Sequence, residues 1–446
     1  MALSSPWSPD SPPPVSPSLS PPSSPVASSL PSSPPALPAP WLVLGRVTLV
    51  WYGAEGAPEH RDPFFITIDE PPCVSTLALP LSVHPAPHRH GADTHPYVLA
   101  ADDAGILLHV SRAPSVGFDL AARYPPGALV MLRDFLPADA GRARETPTAT
   151  VVRVPDRRRP LQPGIASVKH VGLVSLPGTD DYVIAELRLV GDHDRATLLS
   201  FRSGTAAWVE REAICPAMAG LEWRVPPDDV ISHNGKLWWV NLALGLFGWD
   251  PLAGHQLAVL RHKHLPEVFA VEDLPPQPEH PELHRMVRVS NRKVRFVGMT
   301  RTRDDPLEET LVVVWTLEFG EFDAASWKQR RVTSLAEIWA SESYRETGMP
   351  QEAPALALLH PTNPDVVFFF LGQYLFSVDV SSSEVVDFLN GEPYDLQVDV
   401  AGLVRRPPIS WRYVLAWMLP PSLHNALDDD EGEDPSSEEL DGQDTD

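Results

Sequence analysis

The stretch DVISHNGKLWWVNLALGLFGWDPLAG, residues 229–254, decides the architecture. In its middle, KLWWVNL alternates: Trp238, Val240 and Leu242 point one way, and Leu237, Trp239 and Asn241 the other. Both faces are largely apolar, the pattern of a strand buried between two stacked sheets. Asn234-Gly235 in front of it is a hairpin-turn signal, and Asp250-Pro251 ends the returning strand. Gly245 and Gly248 lighten that strand and let neighbouring aromatics approach closely. Each buried indole stabilises a fold by a few kcal/mol, so packing accounts for the tryptophans without a ligand.

The same punctuation extends to both sides. Downstream of YVIAELRLV, ATLLSF and AAWVEREAI come DVIS, KLWWVNL, GLFGWDP and HQLAVLRH, then MVRVSN, KVRFVGM, TLVVVWTLEF and SWKQRRVTSL, then ALALLH, DVVFFFL, QYLFSVDV and EVVDFL. Four strands per unit, recurring at roughly 45–60 residues, is the spacing of propeller blades. Upstream, WLVLGRVTLVWY, FFITID, VSTLALPL, YVLAAD, GILLHVS, ALVMLRDF, TATVVRV and SVKHVGLVSL fill about two further blades. ISWRYVLAWML, residues 409–419, stands alone after the last unit and is placed to close the ring by pairing with N-terminal strands. One helix is expected in SLAEIWASESYRETGMP, where Ser334 and Glu337 make a capping box and Gly348 precedes Pro350 as a stop. The fold class is therefore all-β, a β-propeller-like ring of about six four-stranded blades with one short helix and disordered termini.

Composition frames this core. Residues 1–40 are nearly all Ser, Pro, Ala and Leu, bury little, and read as a disordered leader with polyproline II character. The propeller-like domain spans 41–425, and 426–446 form a disordered acidic tail. The last nineteen residues carry eleven carboxylates and no base, nearly half of a formal net charge of -24. The remainder is mildly acidic, which argues against nucleic acid as a partner. Two cysteines far apart, Cys73 and Cys215, and no Asn-x-Ser/Thr acceptor fit a reducing compartment, cytoplasmic or nuclear, with plastid import as an alternative. WLVLGRVTLVWYG and VVFFFLGQYLFSV are broken by Arg46 and Gln373 and too short to span a bilayer, so no membrane segment is expected.

Five segments in order, WWVNLALGLFGWDPLAG, HRMVRVSNRKVRFVGMT, VVVWTLEFGEFDAASWKQRRVTSLAEIW, SYRETGMP and NPDVVFFFLGQYLFSVDV, resemble domain of unknown function 1618, a family expanded in grasses. The similarity covers roughly residues 238–390. Asn241 and Trp249 stand where that family usually has Asp and often has Cys. The resemblance implies a plant protein with a propeller-like β fold and supplies no substrate.

Candidate chemistry is sparse. His88 and His90, with His84 and His95 nearby, and His262 with His264 have spacings that put two imidazoles on one strand face, but no acidic or Cys ligand accompanies them, and solvated loop histidines are the default reading. The adjacent pairs Asp102-Asp103, Asp180-Asp181, Asp228-Asp229 and Asp304-Asp305 read as turn and capping residues whose carboxylates diverge into water. Glycosidases need their two acids held across a pocket, about 5–9 Å apart. Cys73 and Cys215 read as inert thiols. The runs Arg157-Arg158-Arg159, Arg330-Arg331 and Arg405-Arg406 lack interleaved aromatics for base stacking. As an alternative to a freely solvated tail, one of them could receive the acidic tail in cis.

No GxSxG, P-loop, HExxH or GxGxxG motif occurs. No catalytic, cofactor-binding or metal-binding residue is assigned, and no cofactor. The reading that follows is a non-enzymatic scaffold whose loop face recruits an as yet unidentified protein partner, its oligomeric state open. The alternative is a propeller-type hydrolase acting on a small molecule or glycan in the central channel. Convergence of the named acids on one concave pocket would separate the two.

Overall fold

The computed structural model describes residues 41–51, 65–66, 68–80, 96–111, 127–136, 148–157, 165–189, 196–215, 226–254, 256–269, 280–300, 306–319, 325–372, 374–390, 413–420 and 423. The leader 1–40 and the tail 426–446 lie outside them.

The chain enters along β1 (Trp41–Gly45), followed by β2 (Leu49–Trp51), β3 (Phe65–Ile66), β4 (Val74–Ser75) and β5 (Leu77–Pro80). Blade 1 is β6 (Tyr97–Asp102), β7 (Gly105–Ser111), β8 (Gly127–Leu136) and β9 (Thr148–Arg153). Blade 2 is β10 (Val171–Ser175), β11 (Tyr182–Leu189), β12 (Ala196–Arg202) and β13 (Ala207–Ile214). Blade 3 is β14 (Asp229–His233), β15 (Lys236–Asn241) and β16 (Gly245–Trp249). The two residues of β17 (Ala258–Val259) then pair in parallel with β13, before β18 (Arg261–Lys263) returns to β16. Blade 4 is β19 (Arg285–Ser290), β20 (Lys293–Thr300), β21 (Leu311–Phe319) and β22 (Ala325–Ser334). Blade 5 is β23 (Ala355–Leu359), β24 (Val366–Leu371), β25 (Tyr374–Asp379) and β26 (Glu384–Asn390). The last strand, β27 (Val414–Met418), pairs antiparallel with β1 from Trp41↔Met418 to Gly45↔Val414, and β4 adds in parallel on the far side of β1.

First strands of successive blades lie side by side in the order β6, β10, β14, β19, β23 and β27, and β27 returns to β6. That cycle of six is a closed propeller ring. The sixth blade is built from both ends of the folded chain, so β1 and β27 cover each other's edges. Closure by 409–419 is thus realised through its residues 414–418. Two expectations are corrected. SVKHVGLVSL supplies the first strand of blade 2 instead of ending an upstream blade, and HQLAVLRH is two short strands in two different sheets. The split has a local cause: Leu260, between them, is buried and its N–H donates to Ile214 O at 2.8 Å, which ties the chain to blade 2 before it turns back.

The opening stretch behaves as its alternation dictates. Trp238, Val240 and Leu242 pack with Met286 and Phe296 of blade 4, whereas Leu237, Trp239, Phe247 and Trp249 pack with Leu187 and Leu198 of blade 2. Trp239 is fully buried, and its indole N–H donates to His170 O at 2.8 Å. Asn234 and Gly235 both take positive φ, 50° and 70°, as a type I′ hairpin turn requires. At Gly248 an added Cβ would lie 2.5 Å from the Trp238 ring, so the close aromatic approach needs glycine there. Asn241 ends β15: its Oδ1 accepts from Ala243 and Leu244 N–H, and its Nδ2 donates to Pro226 O at 3.1 Å.

The single helix expected is two, α1 (Leu335–Ala340) and α2 (Glu342–Thr347). Ser341 divides them: its backbone is extended, its hydroxyl donates to Ile338 O and accepts from Tyr344 N–H, so it caps both helices at once. The capping box is present, with Ser334 Oγ accepting from Glu337 N–H and Glu337 Oε2 from Ser334 N–H. Leu335, Ile338 and Trp339 face the core. Replacing Ser334 by Ala removes one cap bond and is expected to lower unfolding stability by about 1 kcal/mol, read by denaturant titration; no change would show the cap to be dispensable.

Candidate functional site

Because every first strand runs the same way round the ring, the turns that follow these strands share one face. On that face a cavity of about 270 Å³ opens among blades 1, 2 and 6. The β6–β7 turn contributes Asp102 and Asp103, the end of β8 Arg133, Asp134 and Phe135, and the β10–β11 turn Asp180 and Asp181. Ser175 and Trp417 come from the ends of β10 and β27. Among the described residues, five carboxylates face one guanidinium.

The carboxylates fall into two groups. Asp102 ties blade 1 to blade 2: Oδ2 accepts from Ser175 N–H at 2.8 Å and Ser175 Oγ–H at 2.9 Å, while Oδ1 accepts from Ala104 N–H at 2.9 Å. Asp181 accepts from Ser203 Oγ–H at 3.0 Å and from Arg202 Nε and Nη2 at 3.2 and 3.1 Å. By contrast, Asp103, Asp134 and Asp180 are exposed on the rim, and their side chains make no hydrogen bond or ion pair among the described residues. Asp134 sits where the β8–β9 register shifts, at φ 50°, a left-handed conformation that Asp tolerates better than most residues. Arg133 donates from Nη2 to Asp180 O at 3.1 Å, and its guanidinium carbon lies 5.2 Å from the centre of the Tyr182 ring.

Burial pushes the Asp102 carboxyl up to about 6; the hydrogen bonds from Ala104 and Ser175 oppose the shift and the charge of Asp103 adds to it. A raised folded-state value means that the stability this group contributes is complete below its unfolded value, near 4, and is lost as pH rises through about 6. Relative to Asp102→Asn, the native protein is therefore expected to lose stability between pH 4 and 7, measured by denaturant unfolding at each pH. A constant difference would contradict the raised value. Asp181 is held below the usual range, first by the Ser203 hydroxyl and then by Arg202.

At the centre of the ring, Arg288 of β19 bonds Asp229 at the start of β14. The Arg46 and Tyr97 side chains act on Arg288 electrostatically from the opposite side of the ring. Burial lowers the Arg288 value and Asp229 opposes that shift. One carboxylate already paired with a guanidinium is not the pair of separated acids that glycoside hydrolysis uses.

The remaining candidates resolve individually. Asp228 caps the turn after β15, accepting from Leu242 N–H at 2.9 Å, as turn chemistry predicts. The other expectation, that acid pairs diverge, fails for 102–103 and 180–181. Each pair occupies the first turn of its blade, and the blades are neighbours, so ring topology aims both at one cavity; that positional equivalence was the available signal. His262 and His264 do share a face, with ring centroids 4.4 Å apart, but His262 Nε2 is 3.2 Å from Leu244 O and its ring stacks on Phe247. Burial first, then His264, push His262 down to about 4. Among the described residues no group of three His, Cys, Asp or Glu could hold a metal ion. Cys73 and Cys215 are free thiols, Cys215 buried among apolar side chains of blades 2 and 3.

Arg157 is not a solvated base: it lies 2.7 Å from the buried Glu186, which Arg188 approaches at 3.0 Å, and it stacks 4.5 Å over Trp208. Arg330 is bidentate with Asp365 at 2.8 and 3.1 Å. Both are thus engaged within the folded unit, and the tail itself lies outside the described residues. His84, His88, His90, His95, Asp304, Asp305, Arg158, Arg159, Arg405 and Arg406 lie outside the described residues.

No curated protein matches the chain. Among solved structures, a GH93 α-L-arabinofuranosidase of Fusarium graminearum in complex with arabinobiose is similar at 10% identity, over 67% of this chain and 80% of that one, with a TM-score of 0.28. The polysaccharide lyase Uly1 is similar at 8% identity, over 78% and 89%, with a TM-score of 0.27. Both superpose loosely, and the propeller assignment rests on this chain's own strand pairing. Residues 239–368, from the second strand of blade 3 into the second strand of blade 5, match the model described as Protein of unknown function (DUF1618), and the match supports that family for this chain.

Proposed function

We propose that the protein is a non-enzymatic scaffold that recruits another protein through the face carrying the acidic cavity. The observation in favour is the division of labour among its carboxylates. Asp102 and Asp181 have their oxygens engaged by Ser175, Ala104, Ser203 and Arg202, which suits anchoring better than proton transfer. The free carboxylates stand on the rim, where a rigid ring presents them at little entropic cost. The grass-expanded family it resembles favours a plant source, and two free cysteines favour a reducing compartment, cytoplasmic or nuclear. Among the described residues no helix is long and apolar enough to cross a membrane.

The second reading, a propeller-type hydrolase acting on a small molecule or glycan, draws on the same cavity: five acids converge there, and one titrates near 6. The two separate in one pair of assays. Purified full-length protein should retain a stoichiometric protein partner from plant tissue and release no reducing sugar from a panel of plant oligosaccharides. Turnover that disappears in Asp102→Asn would overturn the scaffold reading.

A further inference from the structure

We infer that the acidic tail, residues 428–446, docks in cis on a basic face of blade 4 carried by Lys293, Lys328 and Arg331. The inference goes beyond the scaffold reading and does not rest on it.

Strand register builds the face. Arg295, Thr316 and Lys328 are direct partners across β20, β21 and β22, which sets their side chains in one row on one side of the sheet. Lys293 lies two residues before Arg295 and shares that side. Lys328 bonds Glu318 and, with Lys293 and Arg295 adding to it, holds that carboxyl below the usual range. From blade 5, Asp365 reaches Arg330 at 2.8 Å and Arg331 at 3.7 Å, and Arg330 in turn acts on Arg295. Five bases thus share two carboxylates. Arg292, in the β19–β20 turn, adds a sixth base that makes no hydrogen bond or ion pair among the described residues. Glu321 and Asp323, between β21 and β22, lie outside those residues, and counting both leaves six bases against four carboxylates.

These bases are accessible, unlike Arg157. Lys328 is 66% exposed and Arg331 47%, and Arg292 and Lys293 are exposed beside them. On blades 1 and 2 the exposed bases Arg153 and Arg202 instead pair one to one, with Asp156 and Asp181.

Charge and reach identify the occupant. In a chain of net charge -24, a local positive excess attracts the densest run of carboxylates, which is DDDEGED at 428–434, followed by five more up to Asp446. Trp417 and Pro420 bring the chain out beside Asp102, Asp103, Asp134 and Asp180, which repel it. The β19–β20 turn lies on the same face, two blades further round the ring. Residues 424–446 span up to about 75 Å when extended, against roughly 55 Å across a compact body of this size. Reach excludes no site, so charge selects blade 4. Tethering makes the encounter intramolecular, which favours a chain's own tail over that of a second copy.

The test is carbodiimide coupling of the full-length chain, which joins touching amines and carboxylates as amides, mapped by mass spectrometry at about 0.05 M and about 0.5 M salt. The lysines are Lys169, Lys236, Lys263, Lys293 and Lys328, and a Lys328–Glu318 link reports that blade 4 is intact. Links from 428–446 are expected at Lys293 and Lys328 at low salt, falling at least threefold at high salt. Arg292→Gln/Arg331→Gln keeps both lysines and should lower these links at least threefold, whereas Arg153→Gln/Arg202→Gln, an equal change of charge on blades 1 and 2, leaves them unaltered. In a mixture of isotopically light and heavy chains, each link should join residues of one chain. No tail link at either lysine, links indifferent to salt, equal falls in the two double variants, or light-to-heavy links as the main product would overturn the inference. None of these results decides whether a tissue partner co-purifies, so the scaffold reading stands or falls separately.

Discussion

Deleting residues 409–419 is expected to abolish cooperative folding. The segment contains β27, whose Val414, Leu415 and Trp417 are buried together with flanking Tyr413 and Leu419. Truncating a single large core side chain costs about 2–5 kcal/mol, so losing five, about 10–25 kcal/mol, is as large as or larger than the roughly 5–15 kcal/mol by which whole domains are stable. The loss is also topological. Without β27 the ring opens between β23 and β6, β1 loses its antiparallel partner, and two sheet edges face water. Circular dichroism on heating should show no sigmoidal transition, and dye binding should report exposed apolar surface. A sharp transition at the native temperature would mean that five blades suffice.

Glu186→Ala is expected to cost about 3–5 kcal/mol, the usual penalty for removing one member of a buried ion pair. Glu186 is fully buried on β11 and answers Arg157, Arg188 and the Ala166 N–H. Its removal takes the buried counter-charge from two guanidinium groups whose side chains are only 8% and 13% exposed. The cost should belong to the imbalance of buried charge and not to the lost contact. Replacing all three members, Arg157→Met/Glu186→Leu/Arg188→Met, should therefore recover most of the stability, since apolar groups of similar volume replace buried ion pairs at little loss. Chemical denaturation of the two variants decides it; a loss under about 1 kcal/mol in Glu186→Ala would show that water reaches the triad.

What was legible in the sequence was local. KLWWVNL declared its two buried faces because strand side chains alternate strictly, and Ser334 with Glu337 declared a helix start because the capping box spans four residues. What required the ring was non-local. Arg157 reads as a solvated base within an arginine run, and only the fold brings it against Glu186, twenty-nine positions on. SVKHVGLVSL is equally able to end one blade or begin the next, and only its pairing with β11 settles which. The acidic cavity was missed for the same reason: Asp102 and Asp181 each look like ordinary turn residues until successive blades set their turns side by side. Ser341 escaped because a polar residue within a helical pattern carries no mark of whether its hydroxyl faces water or caps the backbone.

The fold requires the ring to be shut by its own two ends, in register. In a Cys73→Ser/Cys215→Ala background, Trp41→Cys with Met418→Cys places two thiols directly opposite each other on β1 and β27, at a Cα separation of about 4.5–5.5 Å that a disulfide spans. Trp41→Cys with Ala416→Cys places them on the diagonal, about 7–8 Å apart. Oxidation of native protein, followed by non-reducing electrophoresis and mass mapping, should give the 41–418 link and little of the 41–416 link. Absence of the first link, or equal yields of both, would contradict the closed ring.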